Sequence, residues 1–177
     1  RRLLCWLVAV FALPASPSRA ADVVVAIAGS GTDASNARLK DVLLPGRTFV
    51  EGGDAARDGI GQGTLLAELV RDAAPGAKLR ILPLQVADAG HPQPTADSLA
   101  AAIDAAVDAD VLLVGATSAR KRAKVEAALD RAIAAGVVVI APAGSNEGFD
   151  LFPACHPGVV SVAGVEPSGG SSGWRLA

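Results

Sequence analysis

The sequence predicts an α/β fold of three layers, in which helices cover both faces of a mostly parallel sheet. Two observations lead to this prediction: short β-branched apolar runs recur along the chain, and stretches with helical period lie between them. Strands that alternate with helices pair in parallel through right-handed crossovers, because each helix carries the chain back to the start of the next strand. The 177 residues, 51% apolar and 19% charged, suit one globular domain with a core.

Five apolar runs are predicted to be buried strands. They are rich in Val, Ile and Leu, which is typical of a parallel sheet that is covered on both faces. In chain order they are Val23–Ala28, Leu79–Val86, Val111–Val114, Val137–Ala141 and Val159–Val165.

Three segments between these strands have apolar residues at helical spacing. The first follows the capping residue Thr64 and has the apolar positions Leu65, Leu66, Leu69 and Val70. The second follows Thr95 and Asp97 and has Leu99, Ile103 and Val107. The third covers residues 120–135, is ended by Gly136, and has Val125, Leu129, Ala132 and Ile133. These residues are the predicted core-facing sides of three helices.

Residues 1–20 are predicted to be a secretory signal peptide. Two arginines precede the apolar run Leu3–Leu13, and Ser18-Arg19-Ala20 ends in a small residue of the kind that signal peptidases accept. The run is shorter than the roughly 20 residues that a membrane-spanning helix needs, so we expect no membrane attachment after cleavage. The domain then covers residues 21–177, and its predicted location is secreted or periplasmic.

Charge and cysteine content exclude several classes of partner. Residues 1–20 contain three of the 16 basic residues and none of the 18 acidic ones, so the remainder has a net charge of −5. An acidic domain does not attract nucleic acid, and we expect no such partner. Cys155 is the one cysteine after residue 20, which excludes an internal disulfide and a cysteine-based metal site. We expect no cofactor and no metal.

The first strand ends in a glycine-containing turn, Gly29-Ser30-Gly31, which is followed by Thr32 and Asp33. Ligands and catalytic groups gather at the carboxyl ends of parallel strands, so this turn has a functional position. A dinucleotide site needs a third glycine that leads into a helix, and Asp33 would place a negative charge beside the phosphate. A nucleotide site is therefore disfavoured, and Asp33 is interpreted as a turn-stabilising carboxylate.

Several segments resemble motifs of the subtilases, the subtilisin-like serine peptidases, in the order that this family has them. Val25–Asp33 is similar to the strand and turn V-A-V-I-D-T-G-V-D, and Asp58–Ala67 is similar to D-x-x-G-H-G-T-H-V-A. Gly136–Gly148 resembles the oxyanion-hole segment G-V-V-V-V-A-A-A-G-N-x-G. Shorter similarities are found at Gly46–Val50, Ala74–Leu79, Leu82–Val86, Phe152–Ala154 and Pro157–Val165. The resemblance implies a subtilisin-like fold for the domain.

The family's catalytic triad consists of a serine nucleophile, a histidine base and an aspartate that orients the histidine. In this chain Gly29 stands at the aspartate position and Gln62 at the histidine position. The serine motif G-T-S-x-A does not occur within the 177 residues, and we expect the domain to be incomplete at its C-terminus. Asn146 matches the family's oxyanion-hole amide. The resemblance thus implies a site in which no triad residue is intact.

Other side chains are not expected to replace the triad. His91 and His156 are interpreted as surface histidines on loops. Ser30 and Ser145 have no histidine nearby in the matched motifs, and a serine without a base is inert. Cys155 is interpreted as a half-buried structural cysteine.

The substrate cleft is also altered, because Gly115-Ala116-Thr117 stands where the family has S-L-G. This difference argues against peptide binding by strand pairing at that segment. We expect a catalytically inactive peptidase homologue that binds a peptide or protein through the former cleft. Two alternatives stay open: a decayed or fragmentary product with no independent function, and a small-anion module that uses the turn at Gly29–Gly31. An incomplete sheet would leave apolar faces uncovered, so we also expect poor solubility or association.

Overall fold

A computed structural model describes residues 22–85, 94–117, 121–144 and 151–164. Within these ranges the chain forms six strands and three helices. In chain order they are β1 (Val24–Gly29), β2 (Leu43–Leu44), α1 (Gln62–Ala73), β3 (Lys78–Pro83), α2 (Ala96–Asp104), β4 (Val111–Val114), α3 (Ala123–Ala134), β5 (Val138–Pro142) and β6 (Val159–Val162). The residues of the predicted signal peptide lie outside the described ranges, and the signal stays a prediction.

All six strands join one parallel sheet in the order β2-β3-β1-β4-β5-β6. The predicted α/β class and parallel sheet are confirmed, and each of the five predicted runs contains a strand. The run predicted at Leu79–Val86 leaves the sheet early, because the N–H groups of Leu84 and Gln85 both donate to the carbonyl of Gly29, at 2.6 and 3.2 Å. Its last residue, Val86, lies outside the described ranges, as does Val165 of the last predicted strand.

The helices form a layer on each face of the sheet. On one face α2 and α3 pack against alternate strand residues such as Ala28, Leu112 and Val139. On the other face α1 packs on β1 and β3, where Ala67 joins a core with Ile27 and Ile81. The three-layer arrangement is confirmed. No helix in the described part of the chain is long and apolar enough to cross a membrane.

The predicted core-facing sides are right for α3 and wrong in part for α1 and α2. Val107 lies beyond the end of α2 and is 40% exposed. In α1, Leu65 and Leu69 are 57% and 55% exposed, whereas Gly63 and Ala67 face the sheet. The physical reason is close approach: small residues allow the helix to contact the backbone of the β1 turn, and the leucines are then turned away from the sheet.

Candidate functional site

Gly29, Gln62 and Gly115 meet where β1 and β4 end and α1 begins. A Cβ placed on Gly29 would lie 3.9 Å from Gln62 Oε1, with nothing closer. A Cβ placed on Gly115 would lie 3.6 Å from both Gln62 Oε1 and the Cα of Gly29. The positions that match the family's aspartate and histidine are therefore adjacent in space, as a triad requires. However, glycine replaces the aspartate and glutamine replaces the histidine.

The start of α1 is held by the Asp58 carboxylate. Its Oδ2 accepts from the backbone N–H and the hydroxyl of Thr64, at 2.8 and 2.7 Å, and its Oδ1 accepts from the N–H groups of Ile60 and Gly61, at 3.1 and 2.8 Å. Burial by itself raises the pKa of Asp58, but the hydrogen bonds from Thr64, Gly61 and Ser30 together lower the pKa below its ordinary value. Because Gly61, the residue before the helix, has no side chain to cap it, Asp58 supplies the acceptors that this terminus needs.

Ser30 has a structural contact. Its buried hydroxyl accepts a hydrogen bond from the N–H of Gly63 at 2.7 Å, which joins the β1 turn to α1. The two residues after the turn also use their backbone donors within the protein: the N–H of Thr32 donates to the carbonyl of Ala55 at 3.1 Å, and that of Asp33 donates to the hydroxyl of Thr64 at 3.0 Å. The Asp33 carboxylate accepts from the N–H and hydroxyl of Ser35, so its predicted turn-stabilising role is confirmed.

His156 and Cys155 lie on the loop before β6. The side chain of His156 is only 9% exposed, so its prediction as a surface histidine is wrong. Its Nε2 lies 3.2 Å from Asp130 Oδ1 on α3, and its Nδ1 accepts from the N–H of Gly158 at 3.2 Å. Both ring nitrogens are thus occupied by structural partners. The prediction of a half-buried Cys155 is also wrong, because this free cysteine is exposed.

Three predicted site residues fall outside the described ranges: His91, Ser145 and Asn146. The oxyanion-hole role of Asn146 therefore stays a prediction. Among the described residues, no group of three or more His, Cys, Asp or Glu side chains could hold a metal ion.

Two cavities open near the ends of β4 and β5. One, of about 310 Å³, lies on the α1 face with Gln62 at its edge, and its walls are almost wholly apolar. The other, of about 290 Å³, lies on the opposite face beside Ala116 and Thr117. It is lined by the apolar side chains of Leu99, Val125 and Phe152, and by the polar side chains of Thr95, Thr117 and Arg122. We call this second cavity the cleft pocket.

The sequence did not identify two contributors to this site. From the sequence, Gly115 is predicted only to alter the substrate cleft. In the structure its missing side chain also leaves the space beside Gln62 open. Asp58 was matched only as the first residue of a motif. The prediction of Thr64 as the capping residue is wrong, because α1 begins at Gln62 and Thr64 lies inside it, donating to Asp58.

No protein-family model matches the chain, and no curated protein does. Solved structures do match. A lanthipeptide protease shares 23% sequence identity at a TM-score of 0.75, over 86% of this chain and 51% of that protein. EpiP, an epidermin leader peptide processing serine protease from Staphylococcus aureus, shares 17% at 0.74, over 88% and 49%. Fervidolysin from Fervidobacterium pennivorans, a keratinolytic enzyme related to subtilisin, shares 26% at 0.71, over 80% and 24%.

These neighbours confirm the resemblance to subtilisin-like serine proteases at the level of the fold. The chain spans about half of the first two neighbours and about a quarter of the third.

Proposed function

Since the chain shares the fold of subtilisin-like serine proteases, we propose that it is a catalytically inactive peptidase homologue that binds a peptide or protein at the former substrate cleft. The observation that carries the proposal is the pairing of Gly29 with Gln62 at neighbouring positions. The two positions are neighbours, but the carboxylate that would orient a base and the imidazole that would take a proton are both missing.

The chemistry of the two residues explains the proposed loss of activity. Glycine has no carboxylate to accept a hydrogen bond from an imidazole, so nothing at position 29 could orient a base. The amide of Gln62 does not titrate near neutral pH and cannot remove a proton from a nucleophile. A serine supplied at this place would keep its proton and remain a weak nucleophile.

The cleft pocket supports the binding part of the proposal. Its volume of about 290 Å³ lies just below the usual range for ligand sites, about 300–1,000 Å³, and its lining is divided almost evenly between apolar and polar surface. Leu99, Val125 and Phe152 offer contacts to an apolar side chain, and Arg122 and Thr117 offer donors to a peptide carbonyl. Among the neighbours, EpiP processes a leader peptide and NisP from Lactococcus lactis is the nisin leader peptidase. A peptide is therefore the ligand class we propose.

Titration of the purified chain against a fluorescent peptide library tests this proposal. We expect saturable binding of peptides that carry a large apolar residue, because such a side chain fills the pocket and releases its water. Thr117→Trp should weaken this binding at least tenfold by occupying the pocket mouth, where Thr117 is exposed. Ala37→Trp is the control and should leave the affinity unchanged. Ala37 is exposed, and its neighbour Asn36 bonds Glu68 of α1, on the face of the sheet opposite the cleft pocket. The proposal is excluded if no peptide binds saturably, or if Thr117→Trp and the parent bind the peptides with equal affinity.

The two alternatives differ in what this titration returns. A product without independent function would bind none of the peptides. A small-anion module at the Gly29–Gly31 turn would respond to phosphate instead, although the N–H groups of Thr32 and Asp33, which follow that turn, are already used within the protein.

A further inference from the structure

Arg122 is the one charged residue among the described residues that line the cleft pocket. It is exposed and directly precedes α3, and its backbone carbonyl accepts the first hydrogen bond of that helix, from the N–H of Glu126 at 2.9 Å. The helix therefore fixes the backbone that carries the guanidinium group at the wall of the pocket.

Arg122 has no carboxylate partner among the described residues, unlike the other basic residues of α3 and of the segment just before it. Those three residues each form an ion pair: Lys121 with Glu126, Lys124 with Asp97, and Arg131 with Asp104. Glu126, four residues after Arg122, is the acid that a helix would bring beside it, but Glu126 pairs with Lys121. The charge of the guanidinium group is thus uncompensated at the pocket.

The stability of α3 does not explain an arginine at this position. The N-terminus of a helix carries a partial positive charge, so a basic side chain there is unfavourable for the helix. Arg122 also provides no side-chain hydrogen bond that caps α3. Neither a cap nor an ion pair within the described residues connects this side chain to the fold.

A carboxylate satisfies Arg122 better than the other groups that a peptide offers. A peptide carbonyl accepts a hydrogen bond but leaves the charge uncompensated, whereas a carboxylate matches both the charge and the planar donors of the guanidinium group. A ligand that displaces water from the pocket also removes part of the hydration of this charge, and a carboxylate offsets that loss. The other polar side chains contribute less, because Thr95 Oγ1 accepts from the N–H of Ser98 at 3.0 Å to cap α2, and Thr117 has one uncharged hydroxyl.

We propose that the cleft pocket selects peptides that carry Asp or Glu two residues from a large apolar residue, and that Arg122 determines this selectivity. The selectivity rests on the proposed function, because it concerns peptide binding at the same pocket. Side chains two residues apart in an extended peptide lie on the same side, about 7 Å from each other, so the apolar side chain enters the pocket while the carboxylate meets Arg122. The acidic domain as a whole repels an acidic peptide, but salt screens that repulsion beyond about 8 Å at physiological ionic strength, whereas the contact with Arg122 is direct.

Binding of a charge series of peptides to the full chain tests this selectivity. The peptides are identical except that the residue two positions from the apolar one is Glu, Gln or Lys, and both ends are blocked so that the Glu side chain is the only carboxylate. Fluorescence anisotropy gives the affinities. We expect the Glu peptide to bind about fivefold more tightly than the Gln peptide, and the Lys peptide to bind less tightly than either. High salt should reduce the difference between Glu and Gln.

Two variants assign the selectivity to Arg122. Arg122→Gln should bind the Glu and Gln peptides equally, with unchanged affinity for the Gln peptide and a melting temperature equal to or slightly above that of the parent, because it removes a cation from a helix N-terminus. Lys124→Gln is the matched control. It removes the same charge two residues later, but Lys124 pairs with Asp97 and is not among the residues that line the pocket, so the preference for Glu should persist.

The outcomes separate this selectivity from the proposed function. Equal affinity of the parent for the Glu and Gln peptides, or the same loss of preference in both variants, would overturn the role of Arg122 and leave peptide binding intact. If none of the three peptides binds, the proposed function is overturned together with the selectivity. The comparison of peptides on the parent chain decides the question even if Arg122→Gln fails to fold.

Discussion

The double variant Gly29→Asp with Gln62→His is expected to show an imidazole pKa about 1 unit above that of Gln62→His alone, because a carboxylate close to an imidazole stabilises its charged form. A Cβ at position 29 lies 3.9 Å from Gln62 Oε1 and has no closer contact, so an aspartate side chain begins beside the introduced histidine. The pKa is measured by NMR titration of the ring protons. The shift would demonstrate that positions 29 and 62 are as close as the aspartate and histidine of the family's triad must be.

The control for this experiment adds the same charge elsewhere. Gly76→Asp with Gln62→His changes the net charge equally, and nothing lies within 4 Å of a Cβ at Gly76. Solvent and salt screen a distant surface carboxylate, so this variant should give nearly the imidazole pKa of Gln62→His alone. If both double variants give the same imidazole pKa, positions 29 and 62 are not adjacent and the proposed match to the family's aspartate and histidine is wrong.

Gly63→Ala is expected to reduce the free energy of unfolding by about 2–4 kcal/mol, combining overpacking with a weakened hydrogen bond. A Cβ on Gly63 would lie 2.1 Å from the carbonyl oxygen of Gly31 and 2.6 Å from that of Ser30. Relief of this clash requires α1 to move away from the β1 turn, which stretches the bond from Gly63 N to Ser30 Oγ. Helix propensity alone would have the opposite effect on the free energy of unfolding, because it favours alanine over glycine by about 1 kcal/mol.

Urea unfolding followed by circular dichroism measures this effect. Gly76→Ala is the matched control, since its added methyl group meets nothing within 4 Å, and we expect its stability to equal or slightly exceed that of the parent. A Gly63→Ala variant as stable as Gly76→Ala would show that α1 does not approach the turn as closely as described.

The strands could be predicted because their signal is local. Each of the five apolar runs contains a strand, whereas β2 was missed because two residues, Leu43 and Leu44, carry no recognisable period. The buried face of α1 could not be predicted from apolar spacing. Leucines were expected inside, but the helix packs through Gly63 and Ala67. The backbone of the neighbouring turn lies so close to the helix that only a glycine fits at position 63.

The site was predictable in part. The order of the motifs located Gly29 and Gln62, and their adjacency agrees with that alignment. The anchoring of α1 by Asp58 and the burial of His156 against Asp130 depend on contacts between segments far apart in sequence, for which a single sequence provides no distance.

We propose that this chain keeps the fold of a subtilisin-like peptidase without its catalytic groups. The most direct measurement is casein hydrolysis by the purified chain, together with labelling by a fluorophosphonate that reacts with base-activated serines. An active subtilisin-like protease run in parallel verifies both assays. We expect no hydrolysis and no labelling above a heat-denatured sample of the same chain. Casein hydrolysis that co-purifies with the chain, or labelling of one serine per folded molecule, would contradict it.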